Sequence, residues 1–334
     1  MLEVVDPGFG LALQDRGRPG FAHLGVPPSG ALDAWGHAVA LILAGAPPDA
    51  ATAELTMGGA VLLALETCAV ALAGADLGAE RDDGLALAAG WVHRLPAGGR
   101  LRFTGAPAAS AAGAVRGARA YLALAGGIEA ALSQGSAATL ASAGLGGFGG
   151  RTAQPGDRLV PTRPGDLTSI GHAWPDGTAP HPARSPGPVR FVRGPDAARL
   201  PAGCVEVFEA TAWTVQPASN RMGLRLAGAP LPAGEEILSH PLIPGAVQVP
   251  AGGLPLVLLA DGPTLGGYPV IAGVARADLP RLGQLRPGDG VRFREVTTDE
   301  ARLAHAEQRR ALERVAGTLA RDAVWHRLPG DARG

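Results

Sequence analysis

Lysine is absent from this chain, and all 29 of its basic residues are arginine. That excludes a Walker lysine, a Schiff-base lysine and any covalently carried biotin. A phosphate held by this chain must therefore rest on arginine, backbone N–H groups or a metal ion. Cysteine is nearly absent too: Cys68 and Cys204 make no disulfide framework and predict free thiols in a cytoplasmic protein. No apolar run approaches the length of a membrane span, and Met-Leu-Glu-Val-Val-Asp does not read as a signal peptide. An excess of charge of either sign is missing as well, since the net value is −1 over 334 residues without a basic stripe. Neither nucleic acid nor an anionic membrane is an expected partner.

Motifs with defined chemistry are also few. There is no His-Glu-x-x-His, no Cys-x-x-Cys and no Gly-x-Ser-x-Gly, so no metal ligand set and no serine triad is expected. Gly144-Leu-Gly-Gly-Phe-Gly149 matches the dinucleotide fingerprint by letter. It lacks the preceding hydrophobic strand, and Pro155 stands where the helix has to run. Asparagine occurs once, at Asn220, and tyrosine twice, at Tyr121 and Tyr268.

What the chain has is short apolar runs cut by glycine and proline. The densest stretch is Pro244–Pro269. Two strand-length runs there, Ala246–Val249 and Leu254–Ala260, flank the turn Pro250-Ala-Gly-Gly253. The second run delivers Asp261 into the uncharged, glycine-rich Gly262–Tyr268, which suits gripping a small polar molecule; a plain hairpin with a surface loop is the alternative. Gln14–Asp33 is the other polar stretch, a loop holding Asp15, Arg16, Arg18 and His23 among glycines and prolines. Ser29 or Gly30 is expected to cap a helix running to about Ala44, its apolar face made by Leu32, Trp35, Val39 and Ile42.

Elsewhere the pattern predicts strands at Leu2–Val5, Leu11–Gln14, Val61–Leu65, Val70–Ala73, Leu101–Phe103 and Tyr121–Ala125. It predicts more at Val189–Val192, Val205–Phe208 and Trp213–Val215. A proline–glycine turn feeds a strand at Pro96–Phe103, Pro155–Val160 and Pro287–Phe293, which suggests a duplicated barrel. Residues 162–188, aperiodic and rich in proline, read as the linker between a module at 1–161 and one at 189–334. Thr297-x-x-Glu300 is a capping box, and Leu312, Val315, Ala316 and Leu319 continue it into a C-terminal helix to about Val324.

The remaining candidates for chemistry are arginines and carboxylates in loops. Arg221, within Ser219–Gly223, offers a fork for a substrate carboxylate; a structural ion pair with Asp15 or Asp261 is the competing reading. Asp15, Gln248 and Asp261 are either ligands or buried hydrogen-bond fixtures.

These blocks resemble a known family. Gln14–Arg18, Gly25–Asp33, Glu54, Tyr121–Gly127, Gly146–Arg151, Gly156-Asp157, Ser219–Gly223, Ser239, Gly245–Pro250, Asp261 and Thr264–Pro269 stand in the order of allophanate hydrolase subunit 2. That is the biotin-dependent carboxyltransferase group to which the C subunit of 5-oxoprolinase also belongs. The resemblance implies a mainly β chain of two cyclophilin-like β-barrel modules with a few helices. It implies an allophanate hydrolase subunit 1-like partner (the B subunit of 5-oxoprolinase) and a TIM-barrel-like third partner (its A subunit). It also implies ATP as co-substrate of the assembled complex. The loops Gln14–Arg18 and Ser219–Arg221, each after a predicted strand end, are expected to converge with Gln248, Asp261 and Tyr268 on one pocket, with Asp15, Arg18 and Asp261 in catalysis and Ser29, Asn220, Arg221, Gln248, Thr264, Gly266, Gly267 and Tyr268 in substrate binding. Four polar positions of the family pattern are lost here, at Leu41, Ala46, Ala138 and Leu265. Three functions fit the resemblance. The chain is a component of a 5-oxoprolinase, a carboxyltransferase module for urea-like amides using biotin on another chain, or a regulator antagonising a histidine-kinase inhibitor.

Overall fold

The computed structural model of the chain describes residues 1–106, 116–175, 180–185, 187–232 and 236–325, the side chains from residue 321 onward excepted. It is mainly β, with four α-helices among the described residues, one of them C-terminal. The chain divides into two compact units. One comprises Met1–Asp15, Trp35–His181 and Gln308–Gly334, the other Arg16–Ala34 and Pro182–Glu307. The chain passes between them at four places, Asp15/Arg16, Ala34/Trp35, His181/Pro182 and Glu307/Gln308. The segment Arg16–Ala34 belongs to the second unit, although it lies near the start of the sequence.

The first unit holds two antiparallel sheets of five strands. One runs, in spatial order, Arg158–Leu159, Leu2–Pro7, Ala60–Ala64, Arg100–Phe103, Ala79–Arg81. The other runs Leu11–Gln14, Thr52–Thr56, Arg119–Leu124, Cys68–Gly74, Trp91–Leu95. Leu2, Val4, Leu62 and Leu101 of the first sheet meet Leu13, Leu55, Val70 and Leu122 of the second in one core. In the first sheet burial alternates along Arg100–Phe103, the signature of a single covered face. Every residue of Arg119–Leu124 is buried, so both faces of the second sheet are covered there. Its non-core face carries Thr52, Glu54 and Tyr121, and His37 of the helix Ala34–Leu43 lies against it, 2.9 Å from the Thr52 hydroxyl.

That helix begins later than the sequence predicts. Ser29 and Gly30 both have positive φ, +54° and +94°, so neither stands at a helix cap. Their segment is instead fixed by Asp261, whose carboxylate accepts the Ser29 hydroxyl.

In the second unit one eight-stranded sheet nearly closes into a barrel. Its order is Gly290–Val291, Trp213–Val215, Gly223–Ala227, Leu256–Leu258, Ala246–Gln248, Val270–Val274, Val189–Arg193, Phe293–Glu295. The two end strands are consecutive in the chain, separated only by Arg292. One short stretch thus pairs antiparallel with Trp213–Thr214 and parallel with Val189–Phe191. Phe208 fills the interior. It stacks on Phe293 at 4.6 Å and meets Phe191 edge-on at 5.3 Å, while its carbonyl accepts the Trp213 indole N–H.

Val205–Phe208, expected as a strand, is part of the helix Cys204–Ala210. The misleading signal is its alternation of valine with glutamate. What decides is that Cys204, Val205 and Phe208 lie on one side of a helical turn and are all buried. The three proline–glycine turns do feed strands. In two of them the aspartate of Pro-Gly-Asp accepts the amide three residues earlier, Gln154 N–H on Asp157 and Arg286 N–H on Asp289, each at 2.7 Å.

Candidate functional site

The hairpin at the centre of the second unit forms as its sequence dictates. Ala246–Gln248 and Leu256–Leu258 pair antiparallel, and the intervening turn closes with Gly253 N–H on the Pro250 carbonyl. Beyond Leu258 the chain delivers Asp261, whose side chain is 10% exposed and bonded on several sides. Arg221 grips it with two prongs, Nε to Oδ2 at 2.8 Å and Nη2 to Oδ1 at 3.1 Å. The Ser29 hydroxyl donates to Oδ1 at 2.7 Å. Arg221 Nη2 also reaches the Gly30 carbonyl at 2.7 Å, and Ser29 N–H donates to the Ala260 carbonyl.

Arg221 is aimed by the turn it sits in. Asn220 and Gly223 exchange backbone hydrogen bonds, and the Asn220 side chain accepts the Met222 amide at 2.8 Å. Asn220 thus builds the turn. Arg221, whose fork is suited to a substrate anion, here presents it to a carboxylate of its own chain. Ser29, Arg221 and Asp261 are brought together as one ion-paired cluster.

Beside the cluster lies a cavity of about 190 Å³, all within this unit. Its walls are mostly apolar, from Pro28, Leu242, Pro244 and Leu259, with Arg18 and Thr264 as polar members. Arg18 is 1% exposed. Gly17 makes its approach possible: at φ +83° a Cβ there would stand 2.5 Å from the Pro28 carbonyl, to which Arg18 N–H donates.

The glycine-rich stretch after Asp261 is not an open loop. Leu265–Gly266 pairs antiparallel with His240–Pro241 in a short ribbon. Leu242 N–H on the Thr264 carbonyl and Ile237 N–H on the Gly267 carbonyl extend it. Gly266 fits closely there: a Cβ would stand 2.6 Å from Leu242 Cδ1 and 2.9 Å from Gln248 Nε2, so both side chain ends would have to shift. Gln248 is 3% exposed and donates to the Tyr268 carbonyl at 3.3 Å. Tyr268 itself is 37% exposed. Gln248, Gly266, Gly267 and Tyr268 thus gather around the ribbon, whereas Arg18 and Thr264 line the cavity.

Asp15 belongs to the first unit. Its carboxylate accepts the Ser136 hydroxyl at 2.7 Å and the Ala137 amide at 2.6 Å, fixing the loop Ser133–Thr139 to the strand end. Of the four lost polar positions, Leu41 and Ala138 are buried and Leu265 is exposed on the ribbon.

Two residues at the ribbon were not singled out from the sequence. Asp196, 7% exposed, accepts the Val270 amide at 3.0 Å, and the His240 Nε2 lies 3.3 Å from the same oxygen. The available signal was that Gly194-Pro-Asp196 and Ser239-His-Pro241 each place a titratable group in a proline-bounded turn. A second ionic group in this unit is structural. Asp278, 2% exposed, receives the Arg190 guanidinium at 2.7 Å and lies 3.7 Å from Arg281, tying the short helix Leu279–Gly283 to the strand Val189–Arg193. Among the described residues no group of three or more His, Cys, Asp or Glu is arranged to hold a metal ion, and no helix is long and apolar enough to cross a membrane.

Comparison with known proteins places this geometry in a family. The model of the carboxyltransferase domain, subdomain A and B, matches residues 24–295. The chain is 34% identical to the C subunit of 5-oxoprolinase from Escherichia coli K12, over 96% of this chain and 99% of that protein. It is 30% identical to the urea amidolyase of Lachancea kluyveri over 93% of this chain, which is 18% of that larger protein. The crystal structure of the K. lactis urea amidolyase superposes with a TM-score of 0.80 at 27% identity, covering 94% of this chain and 20% of that one.

Proposed function

The chain belongs to the family of carboxyltransferase domains, subdomain A and B, and from that membership we propose that it is one component of an ATP-dependent 5-oxoprolinase. The reaction is the opening of 5-oxo-L-proline by water to L-glutamate, with ATP converted to ADP and phosphate. One observation carries this reading: the similarity to the C subunit of 5-oxoprolinase extends over nearly the whole of both chains. With the urea amidolyase the chain shares only a segment of a larger protein.

The chemistry asks for an assembly. A lactam is a poor electrophile, and a phosphoryl group on its oxygen makes the carbonyl carbon attackable. This chain has no lysine to hold ATP phosphates. Its proposed partners, in the cytoplasm, are therefore the allophanate hydrolase subunit 1-like B subunit and the TIM-barrel-like A subunit of 5-oxoprolinase. In the assembly the cavity beside Arg18 and Thr264 is the proposed seat of the small cyclic substrate, with apolar walls for the ring. The Arg18 guanidinium supplies positive charge where negative charge develops. The Ser29–Arg221–Asp261 cluster holds one wall of that cavity in shape, because Leu259 and Gly262 flank Asp261 and line it.

The test is co-purification with the products of neighbouring genes, followed by an assay of ATP-dependent glutamate release from 5-oxo-L-proline. The complex is expected to turn over and this chain alone is not; turnover by the purified chain overturns the partner requirement. The likeness to urea amidolyases favours one second reading, carboxyl transfer to urea-like amides from biotin on another chain. Carboxylation of urea on addition of a carboxybiotin carrier, without glutamate release, selects it.

A further inference from the structure

We infer that Thr264 makes the cavity selective for a small cyclic amide by accepting its ring N–H; the inference rests on the 5-oxoprolinase reading and assigns that substrate a recognition contact. Burial alternates along Gly262–Leu265, with Gly262 and Thr264 covered and Pro263 and Leu265 exposed. That is the period of extended chain, whose successive side chains take opposite faces. The facing strand repeats it. Leu242, whose N–H donates to the Thr264 carbonyl, is 6% exposed, and the next residue, Ile243, is 70% exposed. Thr264 and Leu242 therefore share the covered face, and both line the cavity.

Thr264 is 8% exposed, yet among the described residues nothing forms a hydrogen bond with its hydroxyl. A covered hydroxyl without a partner is costly, and the space it adjoins is where a partner fits. Arg18 and Thr264 carry the only polar side chains of the cavity lining, which includes no carboxylate, carboxamide or imidazole. A guanidinium only donates, whereas a hydroxyl also accepts. Thr264 is thus the one side-chain acceptor the cavity presents. The Thr264 and Pro28 carbonyls already receive the Leu242 and Arg18 amides.

Such a lining is complementary to a narrow class of ligand. Its volume of about 190 Å³ is well below the roughly 300–1,000 Å³ of pockets for drug-sized molecules, so a single small ring fills it. The apolar walls suit ring methylenes, Arg18 suits oxygens, and the Thr264 hydroxyl suits a hydrogen on nitrogen. A small lactam offers oxygen and N–H on one edge, because its ring holds the amide cis. A cyclic ketone of the same shape has the oxygen but no N–H, and it leaves the hydroxyl without a partner. A site built to pair a ligand N–H discriminates against the analogue that lacks it for this reason.

The test compares 5-oxo-L-proline with 3-oxocyclopentane-1-carboxylate, the same ring with a methylene in place of N–H, on the assembled complex. Calorimetry without ATP gives both affinities, and glutamate release gives KM, for the wild type, Thr264→Val and Thr264→Ser. The wild type is expected to bind the lactam at least about tenfold more tightly than the ketone. Thr264→Val, close to threonine in shape, is expected to lose that preference by weakening the lactam alone, with KM raised in proportion. Thr264→Ser returns the hydroxyl and is expected to restore it. A wild type without the preference, or a preference that survives Thr264→Val, overturns the inference. An equal loss for both ligands in Thr264→Val also overturns it, since that marks a damaged cavity. The expected preferences in a complex that releases no glutamate overturn the functional reading instead, and leave the lactam contact standing.

Discussion

Arg221 and Asp261 face each other in a two-pronged ion pair, 2.8 Å and 3.1 Å across, that also binds Ser29 and the Gly30 carbonyl. The carboxylate lies deep, 10% exposed against 23% for the arginine, so the cost of breaking the pair falls on Asp261. Arg221→Ala is expected to destabilise the chain by about 2–3 kcal/mol, because a buried carboxylate loses its charged donors. Arg221→Lys should recover part of that, since an ammonium matches the charge but not the fork. Urea unfolding of the two variants measures both. Unchanged stability with lost turnover in the complex would instead make Arg221 a group that binds substrate.

Gly17 is held at φ +83° with the Pro28 and Ser29 carbonyl oxygens 2.5 Å and 2.7 Å from where a Cβ would stand. Gly20, at φ +99°, has nothing within 4 Å of that point. Gly20→Ala is therefore expected to cost only the strain of a left-handed alanine, about 1–2 kcal/mol. Gly17→Ala should cost more and should break the Arg18-to-Pro28 hydrogen bond. Amide exchange at Arg18 reports that difference directly.

Both thiols should be inert in the native chain. Burial pushes the Cys68 thiol up to about 11 and raises that of Cys204 as well. At pH 8 on the order of one Cys68 thiol in a thousand is ionised, and only the thiolate attacks a disulfide reagent. Titration with such a reagent should find two fast thiols in denaturant and none in the folded protein.

The Pro-Gly-Asp turn at Asp157 should make part of the first unit's stability pH-dependent. The Arg151 guanidinium, helped by the Gln154 amide, holds the Asp157 carboxyl below its ordinary value. A depressed folded pKa means the contribution is complete above the unfolded carboxylate's range and is lost as pH falls through the folded value. Asp157→Asn is expected to flatten the acid side of the stability profile in that window. Chemical denaturation at stepped pH values checks it.

Much of the fold can be read from the chain because its devices are local. Leu11–Gln14 and Trp213–Val215 form at the bounds their patterns indicate. Thr297 and Glu300 exchange the hydrogen bonds of a capping box, 2.7 Å and 3.2 Å, and start the helix Thr298–Trp325. Reading failed where a tertiary partner overrode local preference. Ser29 looks like a helix cap, but Asp261, far along the chain, claims its hydroxyl and holds its backbone at positive φ. Val205–Phe208 has strand composition, and the aromatic interior of the barrel draws it into a helix. The candidate site was partly legible, because proline and glycine marked the turns carrying Arg221, Asp261 and Gly266. Asp196 and His240 were not, since only the pairing of His240 with Gly266 brings that ribbon to the carboxylate.

The stretch Gly290–Glu295 joins both margins of the eight-stranded sheet, pairing with Trp213–Thr214 on one side and Val189–Phe191 on the other. During synthesis those margins emerge first and wait for their common partner, which follows every other strand of the sheet. Until then each is an unpaired strand edge, and such an edge recruits any other strand it meets. A chain halted before Gly290 is therefore expected to form aggregates rather than a smaller stable fold. The seam is the unit's safeguard against self-association and also its most exposed moment.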